Sequence, residues 1–100
     1  MKNGYFDSTG AELIAVERRR QQETEGWTKE HDDSHCADQL VHAADCYLMS
    51  DGQEWAEGET PYLWPWDMKW WKPKDRIHNL VVAGALIAAE IDRLQRKEKP

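Results

Sequence analysis

The chain has 100 residues, of which 40% are hydrophobic and 32% are charged, and its formal net charge is −6 at pH 7. A chain of this length forms one domain with a modest core, so we expect a single domain over residues 1–100. The acidic balance argues against a nonspecific duplex-DNA binder. The longest apolar run, Leu80 to Ala89, is about half a membrane span, and no signal peptide is visible, so a cytoplasmic location without membrane contact is expected.

The first predicted helix follows a loose N-terminal segment, residues 1–8. Thr9 and Glu12 have the spacing of a capping box, and the predicted helix runs from Ala11 to Glu25 with Gly26 as a helix-ending residue. Its apolar content is thin, so tertiary contacts or a second subunit must hold its second half.

Three consecutive arginines lie on this helix, Arg18, Arg19 and Arg20, and the candidate phosphate ligands among them are Arg18 and Arg19. They point about 100° apart, so at most one or two can reach a single site. The alternative is a solvated helix face on which Arg20 pairs with Glu17, three residues earlier.

The second predicted helix spans about residues 35–49, with Asp33 or Ser34 as N-cap. Its apolar stripe consists of Cys36, Leu40, Ala43 and Tyr47, widened by Ala37, Val41, Ala44 and Leu48. Cys36 and Cys46 are about 15 Å apart along such a helix, too far for a disulfide, and are expected to be reduced packing residues.

The opposite side of this helix carries titratable side chains. His31 and His35 are four residues apart, as are Asp38 and His42, so each pair can share a helix face and hold a divalent cation such as Zn²⁺ or Mn²⁺. Glu30 would then be a general base. The alternative is a solvated face beside an acidic helix start, and no cofactor is firmly implied.

A long loop, residues 50–73, joins the second and third helices. Four of the six tryptophans lie within eight residues of it, between prolines and lysines. Such indoles either close a small hydrophobic core or form a stacking surface beside cations. The stacking interpretation predicts a nucleotide site in which Glu30, Asp32 and Asp33 hold hydroxyl groups or a metal ion. Its aromatic and cationic members are Arg18, Arg19, Trp27, Trp64, Trp66, Trp70, Trp71, Lys72, Lys74 and Arg76.

The third helix is predicted over about residues 75–97, with Asp75 as its cap. Apolar residues and one glycine recur at spacings of three and four, as in a coiled-coil seam. Gly84 is expected to permit close approach of another backbone. The whole pattern predicts an all-α, three-helix small domain that oligomerises through its last helix, on a seam formed by Ile77, Leu80, Gly84, Ile87, Ile91 and Leu94. The alternative is a monomeric three-helix core.

Several separated motifs resemble a family of small proteins encoded by bacteriophages and prophages. They are Glu17-Arg18-Arg19-Arg20-Gln21, Glu25-Gly26-Trp27-Thr28, Trp64-Pro65-Trp66, Trp70-Trp71-Lys72-Pro73 and the Leu80–Ile87 stretch, within residues 12–96. The resemblance implies no assigned reaction. It does imply a phage accessory protein in the host cytosol, a setting in which proteins of this size counter host defence.

Three functions are therefore expected in order of preference. The first is binding of a nucleotide-like anion, such as a host immune signal, without cleavage. The second is a metal-dependent nucleotide hydrolase built on His31, His35, Asp38 and His42. The third is an acidic inhibitor of a host defence complex such as a CRISPR effector, in which Glu54, Glu57 and Glu59 mimic phosphates.

Overall fold

A computed structural model describes residues 7–26, 38–50, 55 and 59–98. Over these ranges the chain forms three α-helices and one short 3-10 turn, with no β-strand, so the all-α prediction is confirmed. The helices are α1 (Gly10–Glu23), α2 (Gln39–Met49) and α3 (Arg76–Glu98). Among them, none combines the length and the hydropathy that a membrane-crossing helix requires.

The capping box at the start of α1 is confirmed. The backbone N–H of Glu12 donates to Thr9 Oγ1 at 3.1 Å, and the backbone N–H of Thr9 donates to Glu12 Oε1 at 2.9 Å. Two otherwise unpaired donors of the first turn are thus satisfied. The helix ends two residues earlier than predicted, and Gly26 beyond it has φ of 76°, a backbone conformation that favours glycine.

Helix α2 presents its apolar side to the interior. The predicted stripe is confirmed at its three described positions, because Leu40, Ala43 and Tyr47 are all buried; Cys36 lies outside the described residues. Cys46 is a buried free thiol, and burial followed by the nearby Asp45 carboxylate raises its pKa to about 11. A thiol with so high a pKa is a packing residue rather than a nucleophile.

Helix α3 starts at the predicted cap, since Asp75 Oδ1 accepts a hydrogen bond from the backbone N–H of His78 at 2.9 Å. The face of α3 that is buried differs from the seam that the spacing of apolar residues predicted. Val82, Ala83 and Leu86 occupy the middle of this face, and the predicted seam lies on the outer side of the helix. The full buried set is Asn79, Val82, Ala83, Ala85, Leu86, Ala89, Glu90 and Arg93.

The charged members of the buried face neutralise each other. Arg93 Nε donates to Glu90 Oε1 at 2.6 Å, and Arg93 Nη2 donates to Glu90 Oε2 at 3.0 Å. This two-pronged geometry satisfies both oxygens of the carboxylate, which is what a buried ion pair requires.

Gly84 accommodates a side chain of α1. A Cβ at this position would lie 2.5 Å from Ile14 Cδ1 and 2.9 Å from Ile14 Cγ1. The expectation that Gly84 admits another backbone is thus corrected, because the Ile14 side chain occupies the space beside Gly84.

Helix α1 runs antiparallel to α3. Ile14 lies against Gly84 in the middle of α3, whereas Gln21, two turns further along α1, shares a cleft with His78 near the start of α3.

Helix α2 also runs antiparallel to α3, because its last turn is tied to the first turn of α3. Arg76 Nη1 donates to the carbonyl oxygen of Leu48 at 2.7 Å, and Asn79 Nδ2 donates to that of Ser50 at 3.0 Å. The two shorter helices therefore both end near the start of α3. The tryptophan-rich segment crosses this same end of the domain.

Candidate functional site between α1 and the tryptophan segment

The tryptophan segment, residues 64–71, contributes part of its aromatic surface to the core. Trp64 and Trp71 are each 8% exposed, and their rings pack against each other at 4.9 Å between centroids. Tyr47 of α2 contacts both rings, at 5.8 Å from Trp64 and 4.6 Å from Trp71. Trp64 and Trp71 are thus core residues, and they are not available as stacking surfaces for a ligand.

Two half-buried tryptophans extend this cluster outward. Trp66 meets Trp64 edge-on with centroids 5.4 Å apart, and Trp55 meets Trp71 edge-on at 5.6 Å. Edge-to-face contacts of this kind stabilise aromatic clusters. The core-lid interpretation therefore applies to most of the tryptophans.

Trp70 differs from the others because it lines a cleft. It ends the 3-10 turn Met68–Trp70, which Asp67 caps by accepting from the backbone N–H of Lys69 at 3.0 Å. Lys69 Nζ lies 5.3 Å and Lys72 Nζ 5.5 Å from the Trp70 ring centroid. Its half-buried ring is thus the aromatic surface that the segment presents beside cations.

The backbone after Trp70 is held by α2 and α3. The N–H of Lys72 donates to the Tyr47 hydroxyl at 3.0 Å, and the N–H of Lys74 donates to Asn79 Oδ1 at 2.8 Å. Asn79 Nδ2 also donates to the carbonyl oxygen of Lys74 at 3.1 Å. These bonds fix where the two lysine side chains leave the backbone, so both extend from an ordered segment.

The cleft lies between α1, the tryptophan segment and the start of α3, and has a volume of about 390 Å³. Its wall combines cations, carboxylates and two aromatic rings. The lining residues are Glu17, Arg20, Gln21, Glu25, Tyr47, Trp70, Lys72, Lys74, His78 and Val82.

A charged network crosses the mouth of the cleft. Arg20 donates from Nε and Nη2 to the two oxygens of Glu17, each at 2.8 Å, so the predicted pairing of these residues is confirmed. Arg20 Nη1 also donates to Glu25 Oε1 at 2.9 Å, and Lys72 Nζ donates to the same oxygen at 3.3 Å. Two cations from different parts of the chain therefore converge on one carboxylate oxygen.

These contacts shift the ionisation of the network. The hydrogen bonds that Arg20 donates to the Glu17 carboxylate raise the pKa of Arg20. Burial acts to raise the pKa of Glu25, but the hydrogen bonds from Arg20 and Lys72 outweigh it and lower that pKa below its usual value. Glu25 is consequently held as an anion at neutral pH.

The inner wall of the cleft carries neutral polar groups. Burial raises the pKa of Tyr47 to about 12, so its hydroxyl keeps its proton. Burial, and then the positive charge of Lys74, lower the pKa of His78, so its imidazole is neutral at pH 7. Gln21 donates to Glu17 at 3.1 Å, and its Oε1 has no hydrogen-bond partner among the described residues. This end of the cleft thus offers a hydrogen-bond acceptor.

The structure brings three of the predicted ligand residues together, namely Trp70, Lys72 and Lys74. Arg18 is buried beside α1's packing face and Arg19 is exposed, and neither lines the cleft. Arg76 is directed to the end of α2 instead. The arginine of the cleft is Arg20, because it is the member of the triplet that shares a face with Glu17 and Gln21.

Several predicted residues lie outside the described part of the chain: Trp27, Glu30, His31, Asp32, Asp33, His35, Glu54 and Glu57. Of the predicted metal ligands, Asp38 and His42 are described, and both are exposed. No group of three or more His, Cys, Asp or Glu side chains within the described ranges could hold a metal ion. Glu59 is described and exposed.

The cleft also contains residues that the sequence did not single out for a site. Tyr47 was assigned to the apolar stripe of α2. His78 does not belong to any of the residue patterns that indicated a site. Glu25 was visible as a polar residue at the end of the first predicted helix.

A comparison with protein-family models, curated proteins and solved structures found no match to this chain.

Proposed function

We propose that the protein binds a small, nucleotide-like anionic ligand in the cleft between α1 and the tryptophan segment, and that it does not cleave this ligand. The observation that carries the proposal is the convergence of Arg20 and Lys72 on Glu25 Oε1 beside an aromatic ring. A site that gathers two cations around one oxygen anion can hold a ligand phosphate in the same way.

The dimensions of the cleft suit a small ligand. Its volume of about 390 Å³ falls within the range of about 300–1,000 Å³ that is typical of small-molecule sites. The protein as a whole carries a net charge of −6, so a long polyanion would be repelled outside the cleft. Both features favour a compact anion.

Trp70 supplies the surface for a planar ring. A base stacked on an aromatic side chain gains about 1–3 kcal/mol. Lys72 Nζ, 5.5 Å from the Trp70 centroid, places positive charge at the edge of that surface within the cleft, where a phosphate attached to the ring would lie. Gln21 Oε1 offers an acceptor to an N–H donor of the ligand.

Lys74 is the cation most directly available to a phosphate. Arg20 and Lys72 already contact Glu25, whereas the Lys74 ammonium forms no ion pair with the described carboxylates. Its backbone is fixed at both ends by Asn79. Binding therefore engages Lys74 first, and the ligand competes with Glu25 for the other two cations.

The phage-family resemblance directs the choice of ligands. Host immune signals built from nucleotides have the ring and the phosphates that this cleft is suited to, and a phage protein that sequesters them in the host cytosol would counter defence. Cyclic mono-, di- and oligonucleotides are accordingly the first ligands to test, with linear nucleotides and inorganic phosphate beside them.

The test is titration of the full-length protein by calorimetry and by tryptophan fluorescence, with and without EDTA. We expect saturable binding by at least one nucleotide, unaffected by EDTA, and recovery of the ligand intact. Lys74→Ala should weaken binding about tenfold or more, because it removes one charge-assisted contact with the ligand. Lys69→Ala is the matched control, since Lys69 approaches Trp70 without lining the cleft. No heat and no quenching across the panel would refute the proposal.

A second variant tests the competition with Glu25. Glu25→Gln keeps the shape of the side chain and removes the charge that occupies Arg20 and Lys72, so affinity should rise several-fold. Glu23→Gln is the control: Glu23 is an exposed glutamate at the end of α1, two residues before Glu25, and its substitution should leave affinity unchanged. Weaker binding in Glu25→Gln would mean that this carboxylate contacts the ligand itself.

A further inference from the structure

Helix α3 has a second apolar face whose large side chains α1 and α2 leave exposed, although Ile14 of α1 covers its glycine, Gly84. We call it the outer stripe, and it consists of the positions spaced three and four residues apart, Ile77, Leu80, Gly84, Ile87, Ile91 and Leu94. Its five large side chains remain 38–50% exposed. At 100° per residue the stripe covers an arc of about 100°, adjoining the buried face on one side.

A helix that is apolar on two faces buries both in its working state. The outer stripe extends over about 26 Å of α3, calculated at 1.5 Å per residue. Monomeric soluble proteins seldom expose an apolar strip so continuous. The residues of the stripe are separated alternately by three and by four positions, which is the pattern by which one helix packs along another in a coiled coil.

We propose that the outer stripe pairs with the outer stripe of a second copy of this chain, with the two α3 helices antiparallel. The pattern is self-complementary about a two-fold axis midway between Gly84 and Ile87. In that register Ile77 of one copy meets Leu94 of the other, and Leu80 meets Ile91. Ile87 of each copy then lies opposite Gly84 of the other, where it meets the Ile14 side chain that covers this glycine.

The charges at the two ends of the stripe fix the orientation. Arg76 at the start of α3 and Glu98 at its end are exposed, and both fall on the same side of the helix as the stripe; Arg76 also donates from Nη1 to the Leu48 carbonyl oxygen. In the antiparallel pair, Arg76 of one copy lies within one turn of Glu98 of the other. A parallel pair would place each residue beside its own like charge and would align the two helix dipoles. A second copy in antiparallel orientation is thus the occupant that the stripe matches.

The first measurement is the mass of the full-length protein in solution, by light scattering and sedimentation over a wide concentration range. We expect a dimer that dissociates on dilution. Ile87→Asp should raise the dissociation constant at least about tenfold, because it places two charges at the centre of the apolar contact. Val41→Asp is the matched control: Val41 is 46% exposed on α2, against 44% for Ile87, and lies off the stripe.

The orientation is tested by cross-linking with a short bismaleimide in a Cys36→Ser background, where the remaining Cys46 is buried. An Ile77→Cys protein mixed with a Leu94→Cys protein should cross-link, and Leu94→Cys alone should not. Self-cross-linking of Leu94→Cys would overturn the antiparallel arrangement. A monomer at millimolar concentration, or an Ile87→Asp variant that folds by circular dichroism and still dimerises like the parent, would overturn the pairing itself.

Discussion

The hydroxyl of Tyr47 on α2 accepts a hydrogen bond from the backbone N–H of Lys72, 25 residues further along the chain. The ring of the same tyrosine packs against Trp64 and Trp71. One side chain therefore joins the apolar core to the segment that carries the cleft's lysines. The position of the candidate site depends on the packing of the core.

Tyr47→Phe should reduce the free energy of unfolding by about 1–2 kcal/mol, because it leaves the Lys72 N–H without its acceptor while preserving the ring. Urea unfolding followed by far-ultraviolet circular dichroism measures the change. Tyr62→Phe is the control, since Tyr62 is fully exposed, and its effect should stay within about 0.5 kcal/mol. Equal effects of the two substitutions would contradict this role for the hydroxyl.

Gly84→Ala should show strong coupling to Ile14. Alanine at this position gains about 1 kcal/mol of helix propensity, but its Cβ would sit 2.5 Å from Ile14 Cδ1. The gain should therefore appear in full only when Ile14→Ala has removed the obstructing atoms. A double-mutant cycle from denaturant unfolding measures this coupling. Additive effects would mean that Ile14 does not occupy the space at Gly84.

The two neighbouring tryptophans Trp70 and Trp71 should differ sharply on truncation. Trp71→Ala removes a ring that is 8% exposed within the core and should cost about 3–5 kcal/mol. Trp70→Ala removes a half-buried ring at the cleft, and we expect at most about 1.5 kcal/mol. Thermal and urea unfolding of both variants test this order, and its reversal would contradict the division of the segment into core and cleft.

His78 should make the protein less stable in mild acid. Burial and the Lys74 charge hold its pKa below the unfolded value of 6.5. Below pH 6.5 the His78 imidazole takes up a proton more readily in the unfolded chain than in the folded one. The contribution of neutral His78 to the free energy of unfolding is therefore complete above pH 6.5 and is lost as the pH falls through the pKa of the folded state. His78→Gln should flatten this loss as the pH falls below about 6.5, which urea unfolding over a series of pH values measures.

The titration of His78 also reports on the cleft. An anion bound beside Lys74 would offset the positive charge that depresses the His78 pKa. Histidine ring signals followed by NMR should therefore show a higher pKa for His78 in the presence of a bound nucleotide. An unchanged value at saturation would place the ligand elsewhere.

Local signals in the sequence predicted the helices well. The Thr9–Glu12 capping box and the Asp75 cap both form as their spacing indicated. These features depend on residues three apart in the chain, so they need no knowledge of tertiary contacts. The same holds for the pairing of Arg20 with Glu17.

The buried face of α3 could not be predicted in the same way. Apolar spacing marks the outer stripe, while the face that packs in the core includes Asn79, Glu90 and Arg93. These polar residues are tolerated because Glu90 and Arg93 pair with each other and Asn79 bonds to Ser50 and Lys74. One of the Asn79 partners, Ser50, lies 29 residues earlier in the chain, so only the folded arrangement reveals that the burial of Asn79 is satisfied.

Most of the predicted stacking surface became core for a related reason. Six tryptophans in 100 residues indicate abundant aromatic surface, but not which rings meet Tyr47. Trp64 and Trp71 do, and Trp70 is left for the cleft. Trp70 ends the turn Met68–Trp70, and Trp71 follows the turn in extended backbone.

Because Trp71 faces the core while Lys72 faces the cleft, ligand binding and folding are thermodynamically linked. A ligand held by Lys72 favours the backbone position in which Trp71 is packed, so it raises the population of the folded state. At a ligand concentration one hundred times its Kd, this linkage adds about 2.7 kcal/mol to the free energy of unfolding. For a domain of this size that corresponds to a rise in Tm of at least about 10 °C. A thermal-shift screen of metabolite libraries can therefore identify the ligand without an activity assay.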